Sequence, residues 1–506
     1  MNLISPHSIP AIDAYAMQLH GVSEEALIRR AGDAVAKEIL SRFSGYGVIL
    51  ILCGGGNNGA DGYAAALALC KAGANAVAVD VFERGQRSEG GQAVLAEYTE
   101  LFGAPLTLRD AFALEEITVI VDAVLGSGSH GMLSDDLRRL LKWVKRQNVM
   151  RVAIDIPLGV DADLGEVGED VFSADLTVVP SFYKRGLLSY PARGFCGEIV
   201  LADIGMGEDS LYSEYFSALA TDAVWVKSVL PKRMPNSHKG SFGKLHVLSG
   251  TKKMRGAAHL ATLAALRMGA GLVKLTTEEE VVRMAGRRLP ELLFDSEPPV
   301  SEWSDAFMCE MAEEADRATA ILVGPGSGVS EALYRFVSLL AWREGPPLLL
   351  DADALGAIAA YADGVDAFFR QVKRPLALTP HPLEFARLVG MTTAQVQAAR
   401  MRLALTYAKK WGVALLLKGA GTVVTDGDTL YINTTGSTAL AKGGSGDVLA
   451  GAVGALLAEG MRPIDALAAT AYLHGAAGDS LAAEVSEYGV LPSELPLRMA
   501  QLVCAL

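Results

Sequence analysis

Residues Val48–Gly62 read VILILCGGGNNGADG. Six apolar residues rich in β-branched types, a run of glycine and then a helix-length segment, Tyr63–Ala72, predict strand, tight turn and helix in succession, the unit of a parallel α/β sheet. Gly54, Gly56 and Gly59 satisfy the GxGxxG spacing, in which missing side chains let the backbone close on a pyrophosphate. Asp80 ends the next strand, where an acid can meet a ribose. That fingerprint leaves Asn57, Asn58 and Asp61 unexplained. The sequence places these three polar side chains at the loop tip, where turn chemistry is the plain alternative to ligand binding.

Working outward, strands are expected at Ala76–Phe82, Val119–Ala123, Arg151–Ile154 and Leu176–Val179. Two of them end in an acid. Asp122 leads into the glycine-rich run Gly126-Ser127-Gly128-Ser129-His130-Gly131-Met132, and Asp155 leads into Ile156-Pro157-Leu158-Gly159. Successive carboxyl ends of a parallel sheet line one crevice, so these acids and the Asn pair converge on a single binding site; as helix caps alone they would have no reason to.

The alternation loosens between Met206 and Thr221 and resumes at Lys239, which puts a domain boundary near residue 220 and predicts domains 1–220 and 221–506. The second half has expected strands at Lys244–Ser249, Gly271–Thr276, Ala320–Val323, Pro347–Asp351, Leu376–Thr379, Ala414–Lys418, Thr422–Thr425 and Thr429–Ile432. Near its end stands AKGGSGDVLAG, Ala441–Gly451, before an apolar helix expected over Asp447–Glu459. Glycine N–H groups and a helix N-terminus favour an anion, and Asp447 sits where a substrate hydroxyl would meet a phosphoryl group. A tightly packed helix entry is the bland alternative; it needs neither the row of small residues nor the acid.

Composition narrows the partners. A formal charge of −13 argues against nucleic acid and anionic membrane surfaces. Cys53, Cys70, Cys196, Cys309 and Cys504 form no CxxC pair, so they read as reduced core residues of a cytoplasmic protein. MNLISPHSIPAID at the start lacks the basic and apolar regions of a signal peptide.

At this point a resemblance becomes specific. GGGNNGADG, VDAVLGSGSHG, AIDIPLGVDADLG and ADLTVVPSFYKRGLL resemble the epimerase domain of NAD(P)H-hydrate repair enzymes; KGSFGKLHVLSG, GPGSG, TPHPLEFARL, LLKGAGTVV and GSTALAKGGSGDVLAG resemble their dehydratase domain, of the ribokinase-like superfamily. The resemblance implies a Rossmann-like doubly wound sheet followed by a ribokinase-like α/β domain. It implies interconversion of the R and S epimers of NADHX and NADPHX by the first, and ADP-dependent dehydration of the S epimer by the second.

Residue by residue, it implies epimerase contacts at Asn57, Asn58, Gly59, Ala60, Asp61, Gly126, Ser127, Gly128, Ser129, His130, Gly131, Met132 and Asp155. Epimerising a carbon that bears a hydroxyl beside a ring nitrogen needs an acid and base, and a carboxylate such as Asp155 or Asp61 has that chemistry. A potassium ion (K+) falls on Asn58, Asp122 and Leu158, although Leu158 stands where the family usually has serine, so only its carbonyl can serve; Ala60 likewise replaces glycine. In the second domain the resemblance assigns Ala258, Gly326, His381 and Asp447 to the hydrate, and Lys418, Gly419, Ala420, Gly421, Thr422 and Gly446 to ADP. Asp447 is the implied base, magnesium (Mg2+) bridges the phosphates, and the enzyme is a homo-oligomer. Two rivals stay open: a vitamin kinase using ATP, and an N-terminal domain that binds without catalysing.

Overall fold

In the computed structural model, residues 1–43, 47–82, 87–129, 132–207 and 209–506 are described. The chain divides into two compact units, residues 2–219 and residues 220–506 together with Met1.

The strands of the first unit are β1 (Asn2–Ile4), β2 (Val48–Cys53), β3 (Ala76–Asp80), β4 (Leu106–Thr107), β5 (Ile117–Ala123), β6 (Met150–Ile154), β7 (Leu176–Pro180), β8 (Glu198–Ala202) and β9 (Phe216–Ala220). Seven form one sheet in the order β4-β3-β2-β5-β6-β7-β8, with every neighbouring pair parallel. β1 and β9 pair antiparallel. The apolar run of β2 is explained by burial on both faces. Ile49, Ile51 and Cys53 join the core under helices Glu24–Arg42 and Asn57–Lys71, while Leu50 and Leu52 join the opposite core with helix Asp135–Val144. Each such side chain contributes about 1.5–3 kcal/mol when withdrawn from water, so the strand is specified by composition rather than alternation.

Strand order reverses at β2 and β5, and a doubly wound sheet opens its ligand crevice at that switch. The turn after β2 is tight: a Cβ on Gly54 would lie 1.8 Å from the Val124 carbonyl oxygen. One expectation is corrected here. The helix after β2 is Asn57–Lys71 and does not wait until Tyr63, so Asn57, Asn58 and Asp61 stand on its first turns rather than at a loop tip. Their turn-forming character disguised a helix start whose cap, Gly56, offers no side chain.

The second unit contains β10 (Lys244–Leu248), β11 (Leu272–Glu278), β12 (Leu293–Glu297), β13 (Ala320–Val323), β14 (Leu348–Leu350), β15 (Leu376–Leu378), β16 (Ala414–Leu417), β17 (Val423–Thr425) and β18 (Leu430–Ile432). Their order is β18-β17-β16-β15-β14-β13-β10-β11-β12. Neighbours from β10 to β16 are parallel, and β16, β17 and β18 form an antiparallel meander. The order reverses between β13 and β10, the second switch point. Helix Ser445–Ala458 is buried almost throughout, as its apolar composition on all sides requires. It lies close on helix Arg255–Arg267, since a Cβ on Gly451 would stand 1.9 Å from the Ala261 carbonyl oxygen.

The cysteine expectation holds in part. Cys53 and Cys196 are buried, but Cys309 and Cys504 are exposed, because each sits on the outward stripe of an amphipathic helix. Among the described residues no helix is long and apolar enough to cross a membrane.

Candidate functional sites

At the first switch point Asp122 is fully buried. Its Oδ1 accepts the Val124 N–H at 3.1 Å and its Oδ2 accepts the Leu158 N–H at 2.6 Å. Burial pushes its carboxyl up to about 7, with the two N–H groups pulling back. Asn58 is also buried, and among the described residues neither its Oδ1 nor its Nδ2 has a hydrogen-bond partner. Leaving a buried amide unpaired costs about 1–3 kcal/mol, so the pair of Asn58 and Asp122 reads as a prepared oxygen-donor site. The Leu158 side chain is packed in the core with Leu50, Leu52 and Phe172, and its carbonyl accepts the Phe172 N–H at 2.8 Å.

Asp155 directly follows β6 and lies in the left-handed region, at φ 68°. Its Oδ1 is 2.5 Å from the Lys184 ammonium and its Oδ2 accepts the Ser127 N–H at 2.8 Å. Burial opposes its charge, but Lys184 and Ser127 outweigh burial and hold the carboxyl below its ordinary range. Lys184, only 3 % exposed, is a further member of this site, within the motif ADLTVVPSFYKRGLL but carrying no spacing signal of its own.

A cavity of about 600 Å³ is lined by Asn57, Asn58, Asp61, Gly126, Ser127, Gly128, Ser129, Asp155 and Lys184, with Asp13 from helix Ile9–His20. Asp61 is pushed well above the carboxylate range by burial first and then by the charges of Asp155 and Asp13. Gly59 and Ala60 do not line this cavity. A Cβ on Gly59 would meet the Gly54 carbonyl oxygen at 2.0 Å, and Ala60 is buried in the core, so both serve helix packing. Met132 is 90 % exposed and borders an adjoining cleft with Leu133 and Arg138, which shares Gly126 and Ser129 with the cavity. His130 and Gly131 lie outside the described residues. Asp80 does not line the cavity and pairs with Arg87 at 2.8 Å.

In the second unit the strand ends assemble a charged cluster. Asp351, directly after β14, accepts on Oδ1 both the Thr379 hydroxyl and the Lys418 ammonium, each at 2.8 Å. The same ammonium lies 3.9 Å from Glu384 Oε2, and a Cβ on Gly446 would lie 3.4 Å from it. Lys418 therefore sits beneath the start of helix Ser445–Ala458, whose cap, Gly444, has φ 105° and no side-chain bond. Burial, reinforced by Asp351 and Asp353 and opposed by Lys418, raises Asp447 to about 7. Its proton affinity is thus matched to receiving a proton near neutrality.

Gly419–Thr422 turns between β16 and β17; Thr422 Oγ1 donates to the Gly419 carbonyl at 2.8 Å. Arg400, buried and unforeseen, holds that turn by donating to the carbonyls of Leu417 and Lys418 at 3.0 and 3.2 Å. Gly326 has φ 63°, and a Cβ there would stand 2.9 Å from the Met254 carbonyl oxygen, at the start of helix Arg255–Arg267. Ala258 is fully buried, its Cβ facing Gly250. His381 is exposed, and its Nδ1 accepts the Leu383 and Glu384 N–H groups at 3.1 and 3.2 Å while Glu384 Oε2 accepts the His381 N–H at 2.8 Å. This is a reciprocal helix cap, which leaves Nε2 carrying the proton, 3.2 Å from Glu384 Oε1.

Two switch-point sites, one with an amide-and-acid pair and one with a lysine beneath an uncapped helix start, define a nucleotide enzyme of two α/β parts. Comparison with known proteins gives its kind. The family described as NAD(P)H-hydrate dehydratase matches residues 245–499, and that described as YjeF-related protein N-terminus matches residues 24–186. The bifunctional NAD(P)H-hydrate repair enzyme Nnr of Moorella thermoacetica is 33% identical, over 98% of this chain and 95% of its own length; that of Escherichia coli K12 is 32% identical, over 99% and 95%. This chain belongs to the family of bifunctional NAD(P)H-hydrate repair enzymes, which joins an epimerase to an ADP-dependent dehydratase. Among solved structures, a ribokinase-like superfamily protein from Enterococcus faecalis is similar in fold, with TM-score 0.50 and 24% identity over 57% of this chain and 96% of its own. The ADP/ATP-dependent NAD(P)H-hydrate dehydratase of Bacillus subtilis, co-crystallised with ATP/Mg2+, is 32% identical over 56% of this chain and 97% of its own, with TM-score 0.48.

Proposed function

We propose that residues 2–219 epimerise hydrated NAD(P)H at the cavity of Asn57, Asp61 and Asp155, and that residues 220–506 dehydrate the S epimer with ADP at the cluster of Lys418, Asp351 and Asp447. The observation that carries the second half is Asp447 with its carboxyl near 7, above the Lys418 ammonium and beside uncapped N–H groups. A hydroxyl placed there loses its proton to Asp447 as it takes the terminal phosphoryl of ADP. Lys418 and the N–H groups of Gly443–Gly446 stabilise the charge that develops on the phosphoryl oxygens. Phosphate then leaves carbon 6 as the ring nitrogen pushes electrons in, and the resulting iminium loses a proton from carbon 5 to the departing phosphate, which forms the C5=C6 bond of NAD(P)H and leaves AMP. Gly419–Thr422 and Gly446 hold the nucleotide; Ala258 and Gly326 supply main chain and shape to the hydrate's pocket. His381 forms its rim through Nε2, the ring nitrogen not used in the helix cap.

Asn58 and Asp122 fit a potassium ion, because a buried amide oxygen with no partner among the described residues and a buried carboxyl, each of whose oxygens keeps a lone pair beyond its one N–H bond, are hard oxygen donors. Such an ion would supply a fixed positive charge near the hydrate. Asn58 and Asp122 then hold the crevice in shape, and the Leu158 carbonyl, already bonded to Phe172, has one lone pair to add. Asp351, Asp353, Glu384 and Asp447 outnumber Lys418, which fits a site completed by magnesium-bound phosphates; magnesium would neutralise phosphate charge there. A cytoplasmic homo-oligomer belongs to the same proposal.

Incubating the protein with mixed hydrate epimers tests it. Complete recovery of NADH with ADP, faster than spontaneous epimerisation, supports both activities. Recovery of the S fraction alone would reduce the first unit to a binding module, and a phosphorylated vitamin would identify a kinase.

A further inference from the structure

The epimerase cavity holds a carboxyl that no motif marks. Asp13 stands on helix Ile9–His20, before the span 24–186 matched by the family of the N-terminal domain, yet it lines the same cavity as Asp61, Asp155 and Lys184. We propose that Asp13 is a further catalytic residue of epimerisation, the acid that protonates the departing carbon-6 hydroxyl and recovers its proton when water adds back. This rests on the epimerase reading of the site.

Three carboxyls share one ammonium here, and their environments differ. Asp155 is anchored on both oxygens, at 2.5 Å to Lys184 and 2.8 Å to the Ser127 N–H, so it stays ionised and is a poor donor. Asp61 is the reverse case: burial, and then the charges of Asp155 and Asp13, push it well above the carboxylate range. Asp13 lies between them. Burial raises it, Lys184 pulls it back, and Asp155 and Glu24 push it up again, to about 6. Groups driven apart in this way divide acid and base duties, and a carboxyl that titrates near the working pH both gives and takes a proton.

The step balances without any co-reactant. The C6–O bond breaks with its electron pair on oxygen, that oxygen takes the Asp13 proton and becomes water, and the ring nitrogen lone pair closes a C=N bond. The iminium charge faces ionised Asp155. Water then forms a new C6–O bond; its proton returns to Asp13, directly for addition on the same face and through Asp61 for the opposite face. Opposite-face addition yields the other epimer.

The test uses the full chain, with epimer exchange followed by chromatography and corrected for the spontaneous rate, and with S-epimer dehydration and a melting curve on the same preparation. Asp13→Asn should lower kcat for exchange by about 10²–10³-fold, leave KM within about threefold and remove the acid-dependent limb near pH 6. Dehydration should stay native, and Asp13→Glu should restore part of the loss. Exchange by Asp13→Asn within about threefold of wild type overturns the role, as does a loss that appears in KM and melting temperature alone. If Asp13→Asn fails to fold, the wild-type pH profile decides, and a flat profile between pH 5 and 7 overturns the proposal. A wild-type chain no faster than spontaneous exchange would sink the epimerase reading itself.

Discussion

The Lys418 ammonium lies 2.8 Å from Asp351 Oδ1, and that same oxygen also accepts the Thr379 hydroxyl at 2.8 Å. Thr379 and Asp351 therefore aim Lys418 from below at the space under Gly446. Asp351→Asn keeps the Thr379 bond and removes the charge that fixes the ammonium. Dehydration should fall by about 10²–10³-fold, the worth of a misplaced electrostatic stabiliser, and Lys418→Met should fall at least as far. Epimer exchange, measured on the same samples, should not change.

Asp447 titrates near 7 because burial and the Asp351 charge oppose its ionisation. The raised value makes the base form scarce below neutrality. The dehydration rate under saturating substrate should therefore climb between pH 6 and 8 and level off above. A rate independent of pH over that interval would remove Asp447 from the proton-accepting role.

Asn58 supplies the prediction about potassium. If its unpartnered amide is an ion ligand, Asn58→Ala should abolish the response of epimer exchange to potassium, and the wild type should slow when potassium is replaced by tetramethylammonium. An equal rate in both salts would leave Asn58 as an unexplained buried amide.

Much of the fold was legible because both sheets are built of strands buried on both faces, and runs such as Val48–Cys53 and Ala320–Val323 announce this by composition. Five strands were not foreseen: Asn2–Ile4, Leu106–Thr107, Glu198–Ala202, Phe216–Ala220 and Leu293–Glu297. Some are two or three residues long, and others are partly exposed and mixed in pattern. The strand-end acids Asp122 and Asp155 could be read from their position, whereas Asp13, Asp351 and Arg400 gain their meaning only through partners distant in sequence. Asp80 misled because an acid at the correct spacing was satisfied locally by Arg87. The cap at His381 did leave a signal, a proline next and a glutamate three residues on, the pattern of a reciprocal N-cap.

Gly54 tests the packing of the first switch point. A methyl group there would be 1.8 Å from the Val124 carbonyl oxygen, which is backbone and cannot step aside. Gly54→Ala should cost the N-terminal unit about 1–3 kcal/mol, seen as an earlier melting transition, with epimer exchange reduced and dehydration kept.

Asp447 is the proton acceptor on which the dehydration chemistry depends. Asp447→Asn keeps the size of the side chain and removes the proton acceptor, so one preparation should show dehydration of the S epimer, followed as NADH recovered with ADP, lowered by about 10²–10⁴-fold while nucleotide binding and epimer exchange persist. Near-native dehydration by that variant would mean that Asp447 only shapes the start of its helix, and would contradict the mechanism.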